Sequence, residues 1–397
     1  MILLRRKAAV SLVIAVALAL SACGASPQSS SSKPSSQTIA IGLSAPLSGA
    51  EGSIGQEYQN GIDLAISQIN ASGGVLGRNL QLFSADNACD NATGVNAVGS
   101  LAEQDHVVAI IGSACSNVTL AVMPVIQRLG VTQLTVGATS PAITQGAGVG
   151  GNQWEFRLNI NDAIMGQADS ELVALDGLKS VVVIASNDAY GQGAAAVFAQ
   201  SLPSLGVRTL STEYYARGQN DFRPMLTKIK GENPQGLIVI ADYPDAAPMA
   251  LQAQEIGLTN VKIYDRGTIV SQEFEKLVKN PAIWSGAAGA ARWAPSGSQF
   301  ETQFKARYGR APDVLDALPY YGVQVLAKAI EAAHSTNRTA IRNALAKMNI
   351  CIPDLGPIHF DSHHQAHPDV FVVELDHGTI KLLKRMPSAS HSGSSCQ

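Results

Sequence analysis

No basic stripe runs through this chain. Its 28 Lys and Arg residues are dispersed among 31 Asp and Glu residues, for a net charge of −3. A nucleic-acid surface needs cationic side chains gathered on one face, so that class of partner is not expected. Beyond the N-terminal segment no apolar run is long enough for a transmembrane helix. Cysteine is scarce, at five residues. Gly191-Gln192-Gly193 lacks the third glycine of a dinucleotide turn, and no cofactor is expected. The tract HFDSHHQAHPD gathers His359, His363, His364 and His367. Neither its spacing nor its context suits a zinc site, so no metal is expected either.

The N-terminus is the apolar exception. Arg5, Arg6 and Lys7 precede a short apolar run from Ala8 to Leu20, the layout of a secretory signal over residues 1–22. Leu20-Ser21-Ala22-Cys23 resembles the lipobox of bacterial lipoproteins, which implies cleavage before Cys23 and lipidation of its thiol and amino group. The plain alternative is an ordinary signal peptide with a chance cysteine. Residues 23–37 (CGASPQSSSSKPSSQ) are rich in Ser and Pro and read as a flexible tether. The folded part then begins near Thr38 and leaves enough chain for two domains of ordinary size. Secretion changes the cysteine arithmetic. Cys89, Cys115, Cys351 and Cys396 remain, an even number in an oxidising compartment, which suggests two disulfides in one of three connectivities.

From Thr38 onwards, short apolar strands alternate with amphipathic helices. Strands are predicted at 38–45, 79–86, 106–112 and 131–136, with helices at 56–70, 92–104 and 117–129. After a long irregular stretch, strands recur at 180–186, 207–215, 236–241 and 261–265, with helices at 190–202, 221–230 and 245–256. Two further helices, 318–333 and 338–348, precede a hairpin at 370–383 that turns through residues 376–379. Nearly continuous apolar strands interleaved with helices indicate parallel sheets covered on both faces, here in two α/β lobes.

Several motifs, taken in order, point to a family. LSAPLSG (43–49), NGIDLAISQINASGGVLGRNLQL (60–82), DNACD (86–90), IIGSACSNVT (110–119) and VGATSPAIT (136–144) are followed by NDAYGQG (187–193), QNDFRPMLTKIK (219–230), PYYGVQVLAKAIEAA (319–333) and LGPIHFD (355–361). As a set they resemble the leucine/isoleucine/valine-binding proteins, the type I periplasmic solute-binding proteins of branched-chain amino acid ABC importers. The resemblance implies an α/β fold of two Rossmann-like lobes joined by three crossovers and closing like a hinged trap. Lobe one is expected at 38–157 plus 290–368, and lobe two at 158–289 plus 369–397. The implied partners are a small carboxylate ligand and the ABC permease subunits, for a monomer tethered outside the cytoplasm.

The resemblance also implies a ligand site at the carboxyl ends of the strands, where helix starts offer unpaired N–H groups. Ser116, Ala138 and Thr139 are expected to hold the ligand carboxylate, helped by the backbone at Gly137. Helix capping is the competing role for Ser116 and Thr139. Tyr190 is expected to cover the apolar part of the ligand, or else to be a half-buried core residue. Ile54 stands where family members often place an aromatic. Arg266 stands opposite the family's ammonium-binding acid, a place where it would attract a second anionic group. Asp242 or Asp265 is then the candidate acid, and an ion pair with one of them is the other role for Arg266. Aromatic acids, dicarboxylates and amide-type ligands thus compete with amino acids. The family pattern pairs Cys89 with Cys115, which leaves Cys351 for Cys396 on the even count alone. A thiol hydrolase using Cys115 is the rival from another class, and it requires that thiol to be free. Ligand sensing without transport is the rival within the fold.

Overall fold

The computed structural model describes residues 38–388. The expected signal peptide, the lipidated Cys23 and the tether lie outside the described residues, as does Cys396. The described residues belong to one compact unit, built on two sheets.

The first sheet is formed by β1 (Ile39–Ala45), β2 (Leu80–Asp86), β3 (Ala109–Gly112), β4 (Thr132–Thr135) and β5 (Glu155–Arg157), in the order β2-β1-β3-β4-β5. All of its pairs are parallel. The buried strands β3 and β4 have no solvent face, as a sheet covered by helices on both sides requires. The second sheet takes β6 (Ser180–Ser186), β7 (Arg208–Tyr215), β8 (Gly236–Ile240), β9 (Lys262–Asp265) and β10 (Ala288–Ala291) in parallel. A small antiparallel ribbon, β11 (Asn349–Ile352) with β12 (Gly356–His359), stands apart. The hairpin β13 (Val370–Asp376) and β14 (Thr379–Met386) then adds to the second sheet antiparallel, giving the order β14-β13-β10-β9-β8-β6-β7.

The chain therefore passes between the sheets three times. It leaves β5 for the helix Asp162–Leu175, which packs on the second lobe, and leaves β10 for the helices Gln299–Tyr308 and Val314–Ala333. It returns after residues 364–366, where Gln365 bridges Arg157 at the edge of β5. The helix Val314–Ala333 lies against Gly52–Ala71 on the first lobe.

Local chemistry fixes the helix starts that face the cleft. Asp188 accepts the N–H groups of Tyr190 and Gly191, which places Tyr190 in the first turn of Ala189–Ser204. Cys115 stands at the N-cap of Ser116–Leu129 and is bonded to Cys89. That bridge spans 26 positions, a closure worth about 3.5 kcal/mol in the chain-entropy model. It pins the end of β3 where Ser116 begins its helix. Cys351 is also disulfide-bonded. Among the described residues no helix is long and apolar enough to cross a membrane.

Candidate functional site

The carboxyl ends of both sheets face a common cleft, and a cavity lies there. Its first wall is Ile54, Tyr58, Ala114, Gly137 and Thr139 from the five-stranded lobe, with Leu315 beside them. Tyr190 and Asp242 come from the seven-stranded lobe, and Arg292 comes from the crossover just past β10. Five of the eight expected ligand residues, Ile54, Gly137, Thr139, Tyr190 and Asp242, thus meet at one cavity.

Three do not. Ser116 is 1% exposed, and its hydroxyl accepts the N–H of Ser140 at 3.2 Å. Ala138 is equally buried, and its N–H is already given to the carbonyl of Ser113 at 2.9 Å. Arg266 is the larger correction. Its side chain turns back into the second lobe, 3.5 Å from Asp162 and 3.3 Å from Asp169, and donates to the carbonyl of Ala290 at 3.0 Å. The expected ion pair exists, but with Asp162 and Asp169 in place of Asp265 or Asp242. Burial drives this choice, because a guanidinium 1% exposed needs carboxylates as deeply placed as itself. Asp265 meanwhile accepts the N–H groups of Gly267 and Val270 and does not line the cavity.

On the first wall the backbone approaches so closely that only glycine fits at 137. A Cβ there would lie 1.7 Å from the Tyr58 hydroxyl and 2.8 Å from the Ala114 Cα. Tyr58 is 1% exposed, and its hydroxyl has no hydrogen-bond partner among the described residues. Burial pushes that phenol above its ordinary range, so it stays a neutral donor.

The second wall is held by charge. Arg217 lies 2.5 Å from Asp188, 3.2 Å from Asp242 and 2.7 Å from Glu51, which belongs to the opposite lobe. Its guanidinium also lies over the ring of Tyr190, 5.7 Å from the centroid. Tyr190 donates its hydroxyl to the Arg266 carbonyl. Burial pushes the Glu51 carboxyl up to about 7 against the pull of Arg217, and Asp242 and Asp245 add to the rise. Burial also opposes ionisation of Asp188, but Arg217 and the Gly191 N–H outweigh it and hold that carboxyl below its ordinary range. On this wall Asp188 and Asp242 share Arg217, which leaves one negative charge in excess even with Glu51 protonated.

Other constellations are accounted for without a ligand. His364 stacks on Phe156 with centroids 3.9 Å apart, and His367 pairs with Asp361 at 2.8 Å. Carboxylate oxygens of Glu57, Glu273 and Asp313 lie within 4.8 Å of one another. Arg310 sits among them, 3.9 Å from Glu57 and 3.6 Å from Glu273, and supplies the positive charge that a cation would bring. Cys115 is spent in its disulfide, so the thiol that a hydrolase would need is absent.

Four residues of the cavity, Tyr58, Ala114, Arg292 and Leu315, are not among those the sequence singled out. Arg292 sits in the unpatterned stretch AARWAPSG, and no periodicity or motif singles it out. Its neighbour in sequence, the end of a strand at a crossover, was the only available signal.

Comparisons with known proteins agree with this fold. A family model described as "Periplasmic binding protein" matches residues 38–379. An "Amino acid binding protein" of Pseudomonas aeruginosa is 32% identical over 300 residues, covering 74% of this chain and 79% of that protein. The "Leu/Ile/Val-binding protein homolog 2" of Brucella abortus is 27% identical, covering 82% and 86%. Among solved structures, the branched-chain amino acid transporter substrate-binding protein LivJ of Streptococcus pneumoniae, in complex with isoleucine, superposes with a TM-score of 0.79 at 25% identity, covering 88% of this chain and 99% of that one. A solute-binding protein of an R. palustris ABC transporter, in complex with benzoate, has the same TM-score at 18% identity and covers 91% and 100%, a likeness of fold alone.

Proposed function

Because the chain belongs to the periplasmic binding protein family, we propose that it captures a small carboxylate-bearing solute, an amino acid, for an ABC importer. The lobes at 38–157 plus 290–368 and at 158–289 plus 369–397 act as the jaws, and the ligand is enclosed between them. Binding, closure and release involve no chemical change. A ligand touching both lobes shifts the open and closed populations toward closed, and the permease reads the closed shape. Cys23 carries a lipid that tethers the mature protein outside the cytoplasm, and the receptor works as a monomer.

The observation that carries this reading is the composition of one cavity. Its walls come from both lobes: one neutral, with the hydroxyls of Tyr58 and Thr139, the other bearing Asp242, with Arg292 between them. A zwitterion suits such a cavity, since the acid attracts an ammonium. That favours amino acids over aromatic monoacids, and it replaces the Arg266-based expectation of a second anionic group. A thermal-shift panel of L-leucine, L-isoleucine, L-valine, L-alanine, L-glutamate, succinate and benzoate tests it. A ligand at a hundred times its dissociation constant stabilises by about 2.7 kcal/mol. Stabilisation by one or more of the amino acids is expected, and a shift by benzoate or succinate alone would overturn the amino-acid class. Replacement of Cys23 by Ser is expected to release the protein from the membrane fraction, and an unchanged distribution would remove the lipid anchor.

A further inference from the structure

We propose that Arg292 grips the ligand carboxylate, with Tyr58 as its companion donor, in the role that the resemblance gives to Ser116, Ala138 and Thr139. The inference rests on the solute-binding reading above and names the group that holds the ligand's anionic end.

Arg292 is 8% exposed, yet among the described residues its guanidinium makes no hydrogen bond and no ion pair. The other arginines near the cleft, buried or half-buried, are engaged. Arg157 bonds Gln365 at 2.7 Å and the Ser140 carbonyl at 2.8 Å, Arg217 holds three carboxylates, and Arg266 has Asp162 and Asp169. Asp162 does feel Arg292, but less than it feels Arg266 and Arg157. No guanidinium nitrogen of Arg292 is sealed from solvent, so the fork opens toward the cavity, where an anion completes it. Arg292 lines the cavity, and so does Tyr58, whose hydroxyl is the other polar group there lacking a partner. A guanidinium fork with an adjacent phenol matches a carboxylate, which accepts bidentate from arginine and has lone pairs left for a third donor.

The alternative cradle is in part turned away from the cavity, although Gly137 and Thr139 still line it. Ala138 has already given its N–H, and Ser116 is turned to Ser140, so Thr139 is the member of that trio that reaches the cavity. Across the cavity Asp242 stands in its surplus of negative charge. Carboxylate toward Arg292 and ammonium toward Asp242 orient an α-amino acid, with Ile54 and Leu315 left for an apolar side chain.

The test is titration calorimetry of the full mature protein with L-leucine and with benzoate, each beside its primary amide. Arg292→Gln is expected to weaken the bound carboxylate a hundredfold or more and to erase the preference for acid over amide. Its ligand-free melting temperature is expected to be unchanged, since no bond to another described residue is lost. Ser116→Ala is expected to change affinity less than threefold. Should Arg292→Gln not fold, Arg292→Lys serves, with an expected loss of about tenfold from the missing fork. A carboxylate bound equally well by wild type and either Arg292 variant overturns this proposal and leaves the solute-binding reading standing. Failure of the wild type to bind either acid overturns the carboxylate reading itself, and this proposal with it.

Discussion

The two walls of the cavity are built by different physics. The wall from the five-stranded lobe carries no charge: Ile54, Tyr58, Ala114, Gly137 and Thr139 define it by shape, with the Cys89–Cys115 bridge fixing the strand end beside it. The wall from the seven-stranded lobe presents Asp242 inside an ion network that reaches Glu51 on the other side. Shape in a packed interior is nearly all-or-none, because displaced atoms have nowhere to go. Charge is graded by pH and salt. Changes on the first wall should therefore act through sterics under every condition, and changes on the second through electrostatics that conditions can tune.

The largest effect is expected from Arg217→Met. It removes the one cation from Glu51, Asp188 and Asp242 and breaks the ion pair between lobes. Breaking a buried ion network by deleting one partner costs about 3–5 kcal/mol. Urea midpoints should fall accordingly, and small-angle scattering should show a more open average form. High salt should recover part of that loss. Gly137→Ala comes next, at about 2–3 kcal/mol for an overpacked site. Its added methyl collides with Tyr58 and the Ala114 backbone, so ligand shifts should vanish at every salt concentration. A salt-sensitive Gly137→Ala or a salt-insensitive Arg217→Met would dissolve the contrast between the walls.

A smaller effect is expected from Glu51→Gln, read through pH. Burial raises the Glu51 carboxyl from 4.5 to about 7, with Arg217 opposing and Asp242 and Asp245 reinforcing. A carboxyl whose folded pKa lies above its unfolded value binds its proton more tightly when folded. Its contribution is therefore fully present below about 4.5 and is lost as pH rises through 7. Wild type should lose about 1–2 kcal/mol relative to the glutamine variant between pH 5 and pH 8. Glu155, raised by burial to about 8, has the same sign in both proteins and cancels in the difference. Parallel stability curves for the two proteins would mean that Glu51 does not titrate in this range.

How far the sequence reaches can be judged from the same residues. The strand Ser180–Ser186 was legible to the residue because Val181 to Ile184 form an unbroken apolar run between turn residues. The helix Asp162–Leu175 lay in a stretch read as irregular, for an identifiable reason. Its buried face carries Asp162, Asp169 and Ser170, so the apolar periodicity is missing where polar groups face inward. Gly166 obscures it further, yet the close approach of the next helix requires it, since a Cβ would meet Val197 at 2.9 Å. The same hidden acids explain the misplaced Arg266. Asp169 lies 97 positions from it, and no local pattern reports so distant a partner. Arg292 was illegible for the converse reason, since its significance is a missing partner, and absence of contact is a property of the fold alone.

The finest test of the contrast uses one hydroxyl from each wall. Tyr190 donates its hydroxyl to the Arg266 carbonyl, whereas that of Tyr58 has no partner among the described residues. In Tyr190→Phe the ring stays under Arg217 and the fold keeps its packing, but a buried carbonyl loses its donor, at about 1 kcal/mol. Tyr58→Phe removes a buried polar atom that makes no bond, so stability without ligand should hold or rise slightly. Ligand affinity should reverse that ranking. Tyr58→Phe should lose about tenfold to a hundredfold, the worth of one hydrogen bond to a charged acceptor, while Tyr190→Phe should lose less than threefold. Paired melting curves and titrations on the two variants read both quantities at once. Equal losses of stability would place a structural partner on Tyr58 in solution. Equal losses of affinity would put the Tyr190 hydroxyl in contact with the ligand, and the walls would then share the work of recognition.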